Sequence, residues 1–344
     1  MLKLLVWNME WLNDLFEAGS GTPQFRADRD KPIHSPDTTI KQRREHLLGM
    51  VRELNPDLII VVEGPNRGEE LQLLFDSFAL GTWYTDLQAT PGQQQNIGIA
   101  ARTDTQKFQT LPFERFNTNS DARFAPFLID TDNDDVKEQY HFERRPLYVE
   151  VRPVIGAPFR ILGLHLKSKG IFDAYEWSKW WDKSDANRRK ILAQATQVRA
   201  RFIEPYLLDP ATAAIPLIVC GDINDGPGLD ASEKRLFGSG VERLMGHVWK
   251  PELCLGNALF DSLKPKDQDE LDFASLYTTS FQDPIFNNTY QRDWIDHILY
   301  SRGPRAGWVR SGQVHRSLPD GTAVWQRYRH ASDHFPLSVE IETA

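Results

Sequence analysis

The pattern that decides the fold stands at residues 216–225, with the sequence Pro-Leu-Ile-Val-Cys-Gly-Asp-Ile-Asn-Asp. An apolar run ends there in a cluster of polar side chains. A short continuous run of this kind predicts a strand that is buried on both faces of its sheet. In α/β proteins, the polar groups that follow such strands commonly form the functional site.

The same pattern recurs along the chain and predicts an α/β fold. Further strands are predicted at seven apolar runs: Leu4–Trp7, Leu58–Val62, Ile97–Ala101, Leu147–Val151, Phe159–Leu164, Trp294–Tyr300 and Pro336–Ile341. Helical spacing of apolar residues predicts helices at Ile40–Leu54 and Asn187–Leu208. Long loop insertions are expected near 12–39, 112–143, 170–186 and 242–290. No repeat or flexible linker divides the chain, so we expect one catalytic domain over residues 1–344.

Composition and charge narrow the classes of function. The chain has 40 Lys and Arg against 48 Asp and Glu, a net charge of -8. This excludes a broadly basic nucleic-acid coat but allows a local basic cleft. No segment approaches the roughly 18 apolar residues of a membrane span, and the N-terminal apolar run breaks at Asn8, too early for a signal peptide. We therefore expect a cytoplasmic monomer with no evident protein partner.

Six polar clusters follow or interrupt the apolar runs. They are Asn8-Met9-Glu10, Glu63-Gly64, His165-Leu166-Lys167-Ser168, Gly221-Asp222-Ile223-Asn224-Asp225, Asp296-His297 and Asp333-His334. Carboxylates, an amide and a histidine that meet at strand ends can bind a hard divalent cation and move a proton.

With Arg144-Arg145-Pro146-Leu147 added, these clusters resemble, in order, the motifs of the endonuclease/exonuclease/phosphatase superfamily, the DNase I-like proteins. The matching pieces span residues 5–340. The resemblance implies a four-layer α/β sandwich of two mainly antiparallel β-sheets packed face to face with helices outside. It also implies a divalent-metal-dependent phosphodiester hydrolase that uses Mg²⁺ or Mn²⁺, with Ca²⁺ as a further candidate.

The resemblance makes Glu63 the principal metal ligand. Asn8 and Glu10 would complete its surroundings, and Asp333 would lie on the opposite side of the metal. Glu10 stands where abasic-site nucleases have Asp. An unpaired carboxylate is costly to bury after an apolar run, so Glu63 must either meet a cation or reach solvent as a loop acid. The alternative for Asn8 is a strand-end cap.

The resemblance pairs His334 with Asp296, and a carboxylate partner raises the basicity of an imidazole that takes a proton from water. Asp222 and Asn224 are two residues apart and share one side of an extended strand end. The acid can accept a proton or bind a second cation, and the amide can donate to a phosphoryl oxygen. The alternative for this pair is an Asx-rich turn in which Asp225 takes part.

Further residues are assigned to the phosphate. By resemblance to DNase I-like members, His165 contacts the scissile phosphate; its acidic partner stays open, with Asp86 as a guess. Arg144 and Lys167 are candidate phosphate contacts, although Arg145 competes with its neighbour. His297 points away from Asp296 because strand side chains alternate, so we interpret it as structural.

Three functions remain open. A nuclease acting on nucleic acid is the leading hypothesis. A phosphatase or phosphodiesterase that acts on a lipid head group or a small nucleotide is the alternative, favoured by the charge of -8. A catalytically inactive binding protein on the same fold is the non-enzyme alternative. The run Asp130–Asp135 lacks the Gly and Glu of a calcium loop and is interpreted as a solvated acidic turn.

Overall fold

The computed structural model describes residues 1–171, 176–227, 236–263, 276–283, 289–303 and 307–344. In these ranges the strands are β1 Leu2–Asn8, β2 Leu58–Gly64, β3 Trp83–Gln88, β4 Asn96–Arg102, β5 Phe108–Phe116, β6 Phe127–Ile129, β7 Glu138–Tyr140, β8 Leu147–Pro153, β9 Phe159–His165, β10 Leu217–Asp222, β11 Leu255–Asn257, β12 Thr279–Asp283, β13 Thr289–Asp293, β14 Asp296–Ser301, β15 Val309–Val314 and β16 Leu337–Ile341. The α-helices are α1 Ile40–Leu54, α2 Gly68–Ser77, α3 Trp180–Val198, α4 Glu204–Leu208, α5 Pro210–Ala213, α6 Gly240–Met245, α7 Ala258–Asp261 and α8 Val324–Arg327. Among these described helices, none is both long and apolar enough to cross a membrane.

Two six-stranded sheets form the centre of the fold. The first has the order β15-β16-β1-β2-β4-β3 and the second the order β11-β14-β10-β9-β8-β5. Most neighbours are antiparallel, but β1 runs parallel to β2, and β9 runs parallel to β10. The predicted fold of two mainly antiparallel sheets is confirmed.

Side chains along each strand point alternately to the two faces of the sheet, and this alternation defines the layers of the fold. Leu4 and Val6 of β1 lie in the core between the two sheets, whereas Leu5 and Trp7 face the helices on the outer side. Helices α1 and α2 cover the first sheet, and α3 covers the second. Helix, sheet, sheet and helix therefore stack in four layers, which places the ends of the central strands at one shared edge.

The predicted strands and helices agree with the structure except where the pattern of apolar residues in the sequence is weak. All eight predicted strands and the helix Ile40–Leu54 are present. Thr39 caps that helix through its side chain, and Asn55 ends it in a left-handed conformation. The second predicted helix begins earlier, at Trp180, and passes through a π-helical turn at Arg199–Ile203 before α4. That widened turn lies directly before Pro205, which lacks the N–H that a regular helix would need.

Three of the expected loops contain more regular structure than the sequence indicated. The segment 112–143 includes the end of β5 and the hairpin of β6 and β7, and residues 180–186 belong to α3 rather than to a loop. Strand β5 pairs with β8 through a register shift between Phe108 and Phe113, which hides its alternation. The segment 242–290 includes β11, α7 and β12, while 264–275 and 284–288 lie outside the described residues.

Gly221 allows β10 to approach its neighbour just before Asp222. Its φ is 127°, and a Cβ there would lie 2.1 Å from the carbonyl oxygen of Leu164. Both the backbone conformation and the space therefore require glycine at this position.

Gly221→Ala is expected to destabilise the protein by at least about 1 kcal/mol, because the new methyl group meets backbone in a conformation that alanine rarely adopts. Urea unfolding followed by circular dichroism measures the change. Gly303→Ala is the matched control, since a Cβ at Gly303 meets no atom within 4 Å. Equal stability of the two variants would contradict this account of β10.

Candidate active site

Five strand ends bring polar side chains to one edge of the sandwich. Asn8 and Glu63 come from the parallel strands β1 and β2, and His165 and Asp222 come from the parallel strands β9 and β10. Asp296 begins β14, which runs antiparallel and sets Asp296 opposite Asp222 in register. The carboxyl ends of the parallel strands and the start of β14 therefore meet.

Asn8 joins two of the carboxylates. Its Nδ2 donates to Glu63 Oε1 at 3.1 Å and to Asp222 Oδ2 at 3.0 Å. The backbone N–H of Trp11 donates to the other oxygen of Glu63 at 2.9 Å. The two carboxylates, which belong to different sheets, are thus held around one amide group.

His334 and Asp296 form a close pair. His334 Nδ1 lies 2.7 Å from Asp296 Oδ2, and the hydroxyl of Thr278 donates to the same oxygen at 2.8 Å. His334 Nε2 points to the centre of the site, 3.5 Å from Asn8 Nδ2 and 4.0 Å from Asp222 Oδ2. The predicted pairing of His334 with Asp296 is present in the structure.

The surroundings of His334 favour its charged form. Burial lowers the pKa of the imidazole, but the carboxylates of Asp296, Asp333 and Asp222 outweigh burial, and the pKa lies well above 6.5. The nearest of these carboxylates is the hydrogen-bonded one. Asp296 therefore both orients the ring and increases its affinity for a proton.

His165 has the opposite electrostatic environment. Its Nε2 lies 3.0 Å from Arg144 Nη2, 3.8 Å from Glu63 Oε1 and 3.9 Å from Asp222 Oδ2. Arginine has only donors, so Nε2 is the acceptor in the contact with Arg144. Burial and the charge of Arg144 hold the pKa of His165 well below 6.5. This imidazole is neutral at physiological pH.

Asp222 is the carboxylate most affected by its neighbours. Burial raises its pKa to about 7, and the negative charges of Asp296 and Glu63 add to this effect. Its Oδ1 accepts the backbone N–H of Asn224 at 2.8 Å, while the Asn224 side chain donates to the carbonyl of Leu166 at 3.2 Å. Asp222 and Asn224 lie in the site on a tight turn.

The donor groups fit a divalent cation. Glu63, His165 and Asp222 offer ligand atoms within 4.8 Å of one another, and so do Asp222, Asp296 and His334. Buried carboxylates this close repel each other, as the raised pKa of Asp222 indicates, and a cation would relieve that repulsion. Oxygen donors from Glu63 and Asp222 are typical of sites for Mg²⁺ or Mn²⁺.

Glu10 and Asp333 lie at the rim of this arrangement. Among the described residues, neither belongs to those two groups of potential ligands. Glu10 Oε1 accepts from Ser35 at 2.8 Å, and its Oε2 lies 3.8 Å from the buried Arg43. The Asp333 carboxylate lies 3.9 Å from His334 Nε2 and is 41% exposed. Their roles as metal ligands stay predictions.

The structure distinguishes the candidate phosphate-binding residues by their contacts with the site. Arg144 reaches the site through His165 and donates to Leu166 O at 3.0 Å, whereas the Arg145 backbone N–H binds Thr90. Lys167 donates to the neighbouring carbonyl of Ser168 at 3.2 Å.

Asp86 is not the partner of His165, because its carboxylate pairs with Arg115 at 2.8 Å on β3. The guess made for this residue is therefore wrong.

His297 lies on the other face of β14, as predicted. Its Nε2 contacts the backbone oxygen of Asp225 at 2.9 Å, and the ring stacks on Trp294. Burial lowers the pKa of His297 to about 4. Asp225 is more than a turn residue, because its carboxylate pairs with Lys169 at 2.6 Å and accepts the N–H of Gly240 at 2.6 Å.

Three residues that hold the site in place by hydrogen bonds were not predicted from the sequence. Thr278 holds Asp296, and Ser332 donates to the Asn8 backbone at 2.7 Å while accepting the N–H of His334. Arg43 is fully buried and donates to the carbonyls of Met9 and Glu10. Arg43 did carry a signal, since it lies four residues before Leu47 on the apolar face of α1. Thr278 carried none.

The acidic run 130–135 forms the expected turn. The carboxylate of Asp130 accepts the backbone N–H groups of Asp132, Asn133 and Asp135. Local capping therefore accounts for its geometry.

Comparisons with known proteins agree with this fold. The model of the endonuclease/exonuclease/phosphatase family matches residues 5–334. The human Nocturnin catalytic domain with bound sulfate is similar, with a TM-score of 0.51 and 16% identity over 100% of this chain and 93% of that one. ANGEL2, a 2',3'-cyclic phosphatase, has a TM-score of 0.51 and 11% identity over 98% of this chain and 94% of that one. Truncated Caenorhabditis elegans TDP2 has a TM-score of 0.47 and 13% identity, covering 98% and 96%. No curated protein matches at a significant level.

Cation affinity is expected to rise with pH through about 7, because the proton that Asp222 holds below its raised pKa must leave before the carboxylate can bind a metal. Calorimetric titration with Mn²⁺ at about pH 6 and pH 8 measures this. Asp222→Asn should reduce the pH dependence, and Asp209→Asn at the exposed start of α5 should leave it unchanged. An affinity that is the same at both pH values would contradict the prediction.

Proposed function

The chain belongs to the endonuclease/exonuclease/phosphatase family, and we propose that it is a divalent-metal-dependent phosphodiester hydrolase in which residues 1–344 form one catalytic domain. We propose nucleic acid as its substrate class. The observation that carries the proposal is the placement of His334 Nε2 beside Asn8 and Asp222, while Asp296 holds Nδ1 at 2.7 Å.

His334 is the proposed general base. The charged ring must first lose its Nε2 proton. Nδ1 then donates to Asp296, which fixes the tautomer with a free lone pair on Nε2. A water beside Nε2 can then lose a proton to the ring as it attacks phosphorus. Asp296 stabilises the imidazolium that results, and Thr278 keeps Asp296 in place.

The remaining groups face the phosphate. Glu63 and Asp222 would hold Mg²⁺ or Mn²⁺, with Asn8, Glu10 and Asp333 around them. A bound cation would polarise the phosphoryl oxygens. Arg144 and Lys167 would bind the phosphate as positive charges, and Asn224 would orient it. The neutral His165 would position Arg144, whose hydrogen bond its Nε2 accepts. The neutral form of His165 is compatible with a cation at Glu63, because a second imidazolium beside that of His334 would repel the cation.

One observation favours the alternative of a lipid head group or a small nucleotide. Two lysines that a nucleic-acid cleft would use form ion pairs instead, Lys169 with Asp225 at 2.6 Å and Lys179 with Glu176 at 2.9 Å. The net charge is -8. Polymer binding must therefore depend on few cations, of which Arg144 lies nearest the centre.

Replacement of the base tests the mechanism. His334→Ala is expected to lower kcat by roughly 10²–10⁴-fold, the usual cost of a lost general base. Asp296→Asn should also be harmful, and it should move the acid limb of the pH profile to lower pH, because loss of the carboxylate lowers the pKa of His334. Steady-state kinetics with a chromogenic phosphodiester and added Mg²⁺ or Mn²⁺ measures both effects.

His297→Ala is the matched control on the same strand, and its activity per folded molecule should change far less. Excess chelator should abolish turnover by the wild type. Full activity in chelator, or an essential His297 beside a dispensable His334, would overturn the assignment.

Salt dependence tests the substrate class. Cleavage of plasmid DNA or RNA should fall steeply with salt, because neutralised phosphates release counterions, whereas turnover of a small diester should respond much less. Arg144→Ala with Lys167→Ala should weaken polymer binding and flatten the slope, while Lys179→Ala should do neither. Negligible action on every nucleic acid, with robust turnover of a lipid phosphodiester, would establish the alternative.

A further inference from the structure

An open polar cavity of about 440 Å³ is formed by loop 12–39 and the start of α2. Its volume lies within the range of small-ligand sites. The short 3₁₀-helix Leu12–Leu15 supplies one wall, the segment that follows it supplies Ala18, and Asn66 and Gln94 close the other sides. None of these four elements carries a proposed catalytic side chain.

Three short stretches of chain connect this cavity to the active site. Asn13 lies two residues after Trp11, whose N–H binds Glu63, and Asn66 lies three residues after Glu63 itself. Gln94 precedes Gln95, whose backbone lies against the His165 imidazole. Consecutive Cα atoms are about 3.8 Å apart, so the Cα of Asn66 lies within about 11 Å of the Cα of Glu63. One wall of the cavity is therefore close to a proposed metal ligand.

The charges of the cavity exclude a second phosphate. Three carboxylates, those of Asp14, Glu17 and Glu70, line it beside the guanidinium groups of Arg26 and Arg67, which leaves one net negative charge. Arg67 is already bound by Glu70 at 2.8 Å and by a loop carbonyl at 2.6 Å. An anion would therefore meet repulsion without an uncommitted cation.

The side chains fit a neutral, hydrogen-bonding group. The amides of Asn13, Asn66 and Gln94 each offer donors and an acceptor, and Asn13 Oδ1 has no hydrogen-bond partner. Such groups recognise the edges of nucleobases. The wholly apolar side chains of the lining are those of Phe16, Ala18 and Ile33, against three amides and five charged side chains. Donors, acceptors and moderate volume together match a base with its sugar.

We propose that this cavity binds the nucleoside attached to the scissile phosphate, a specificity site that rests on the proposed function. Loop 12–39 thus supplies selectivity, while the strand ends supply catalysis. The site accepts a nucleoside of a polymer or of a free nucleotide diester, since both present the same base and sugar to these amides.

Filling the cavity tests the proposal. Ala18→Trp places a large ring inside it, and Asn66→Ala with Gln94→Ala removes two amides. Ala211→Trp on α5 is the matched control, because α5 precedes β10 at the end of the sheet opposite Asp222. Substrates are thymidine 5'-(p-nitrophenyl phosphate), a single-stranded oligonucleotide, bis(p-nitrophenyl) phosphate and p-nitrophenyl phosphorylcholine, all with saturating Mn²⁺.

Both cavity variants should raise KM for the thymidine diester by roughly tenfold or more with little change in kcat, as expected when binding common to ground and transition states is lost. If polymers use the same site, oligonucleotide cleavage should fall in parallel. Turnover of bis(p-nitrophenyl) phosphate and every property of Ala211→Trp should stay within about twofold of wild type. Equal losses on all substrates, no loss on any, or a loss confined to the choline diester would overturn the proposal.

A binding measurement separates this proposal from the proposed function. Fluorescence anisotropy with a labelled single-stranded trinucleotide needs no turnover. Weaker binding by Ala18→Trp than by Ala211→Trp would support the nucleoside site even in a protein without hydrolytic activity. Hydrolysis of bis(p-nitrophenyl) phosphate without any binding of the trinucleotide would sustain a phosphodiesterase and refute the nucleoside site.

Discussion

The amide group of Asn8 is the contact on which the rest of the site depends, because it joins carboxylates from different sheets. Its Nδ2 donates to Glu63 of the first sheet and to Asp222 of the second, at 3.1 and 3.0 Å. An amide is neutral, so it brings the two acids together without cancelling their charge. The same residue is fixed from behind, since its Oδ1 accepts the N–H of Glu10 and its carbonyl accepts from Ser332. Two sheets with a shared apolar core can therefore present one compact set of oxygen donors.

The sequence predicts this convergence because it depends on strand ends. Apolar runs that stop at Glu63 or Asp222 identify both the strand and the position of the acid, and the two-residue alternation separates His297 from Asp296. Contacts made by residues from irregular segments leave no such periodic trace. Thr278 directly precedes β12, within the segment 242–290 that the sequence predicts to be loop. Its hydrogen bond to Asp296 follows only from tertiary packing. Strand β5 was missed for a related reason, because its register shift breaks the alternation.

Three buried histidines near one another show how position sets protonation. His334 gains carboxylate neighbours, and its pKa rises well above 6.5. His165 is buried beside Arg144, and burial and this positive charge together hold its pKa well below that value. His297 lies on the opposite face of β14 against backbone and an aromatic ring, where burial lowers its pKa to about 4. The same side chain is thus prepared as a base, as a neutral contact and as a packing element, which is how environments divide roles among identical groups.

Backbone strain collects where these side chains must point inward. Glu10, Trp11, Glu63 and Asn224 have φ values of 49°, 45°, 56° and 57°, in the left-handed region that costs a non-glycine residue about 1 kcal/mol or more. Glycine would remove the strain but also the functional side chain. Hydrogen bonds offset the cost instead: Arg43 holds the carbonyls of the 9–11 turn, and the Trp11 N–H binds Glu63. Because Trp11 precedes Leu12 in this left-handed conformation, the chain turns after β1 into the 3₁₀-helix that forms a wall of the cavity. The geometry of the catalytic edge and the existence of a cavity beside it therefore have a common origin in one turn.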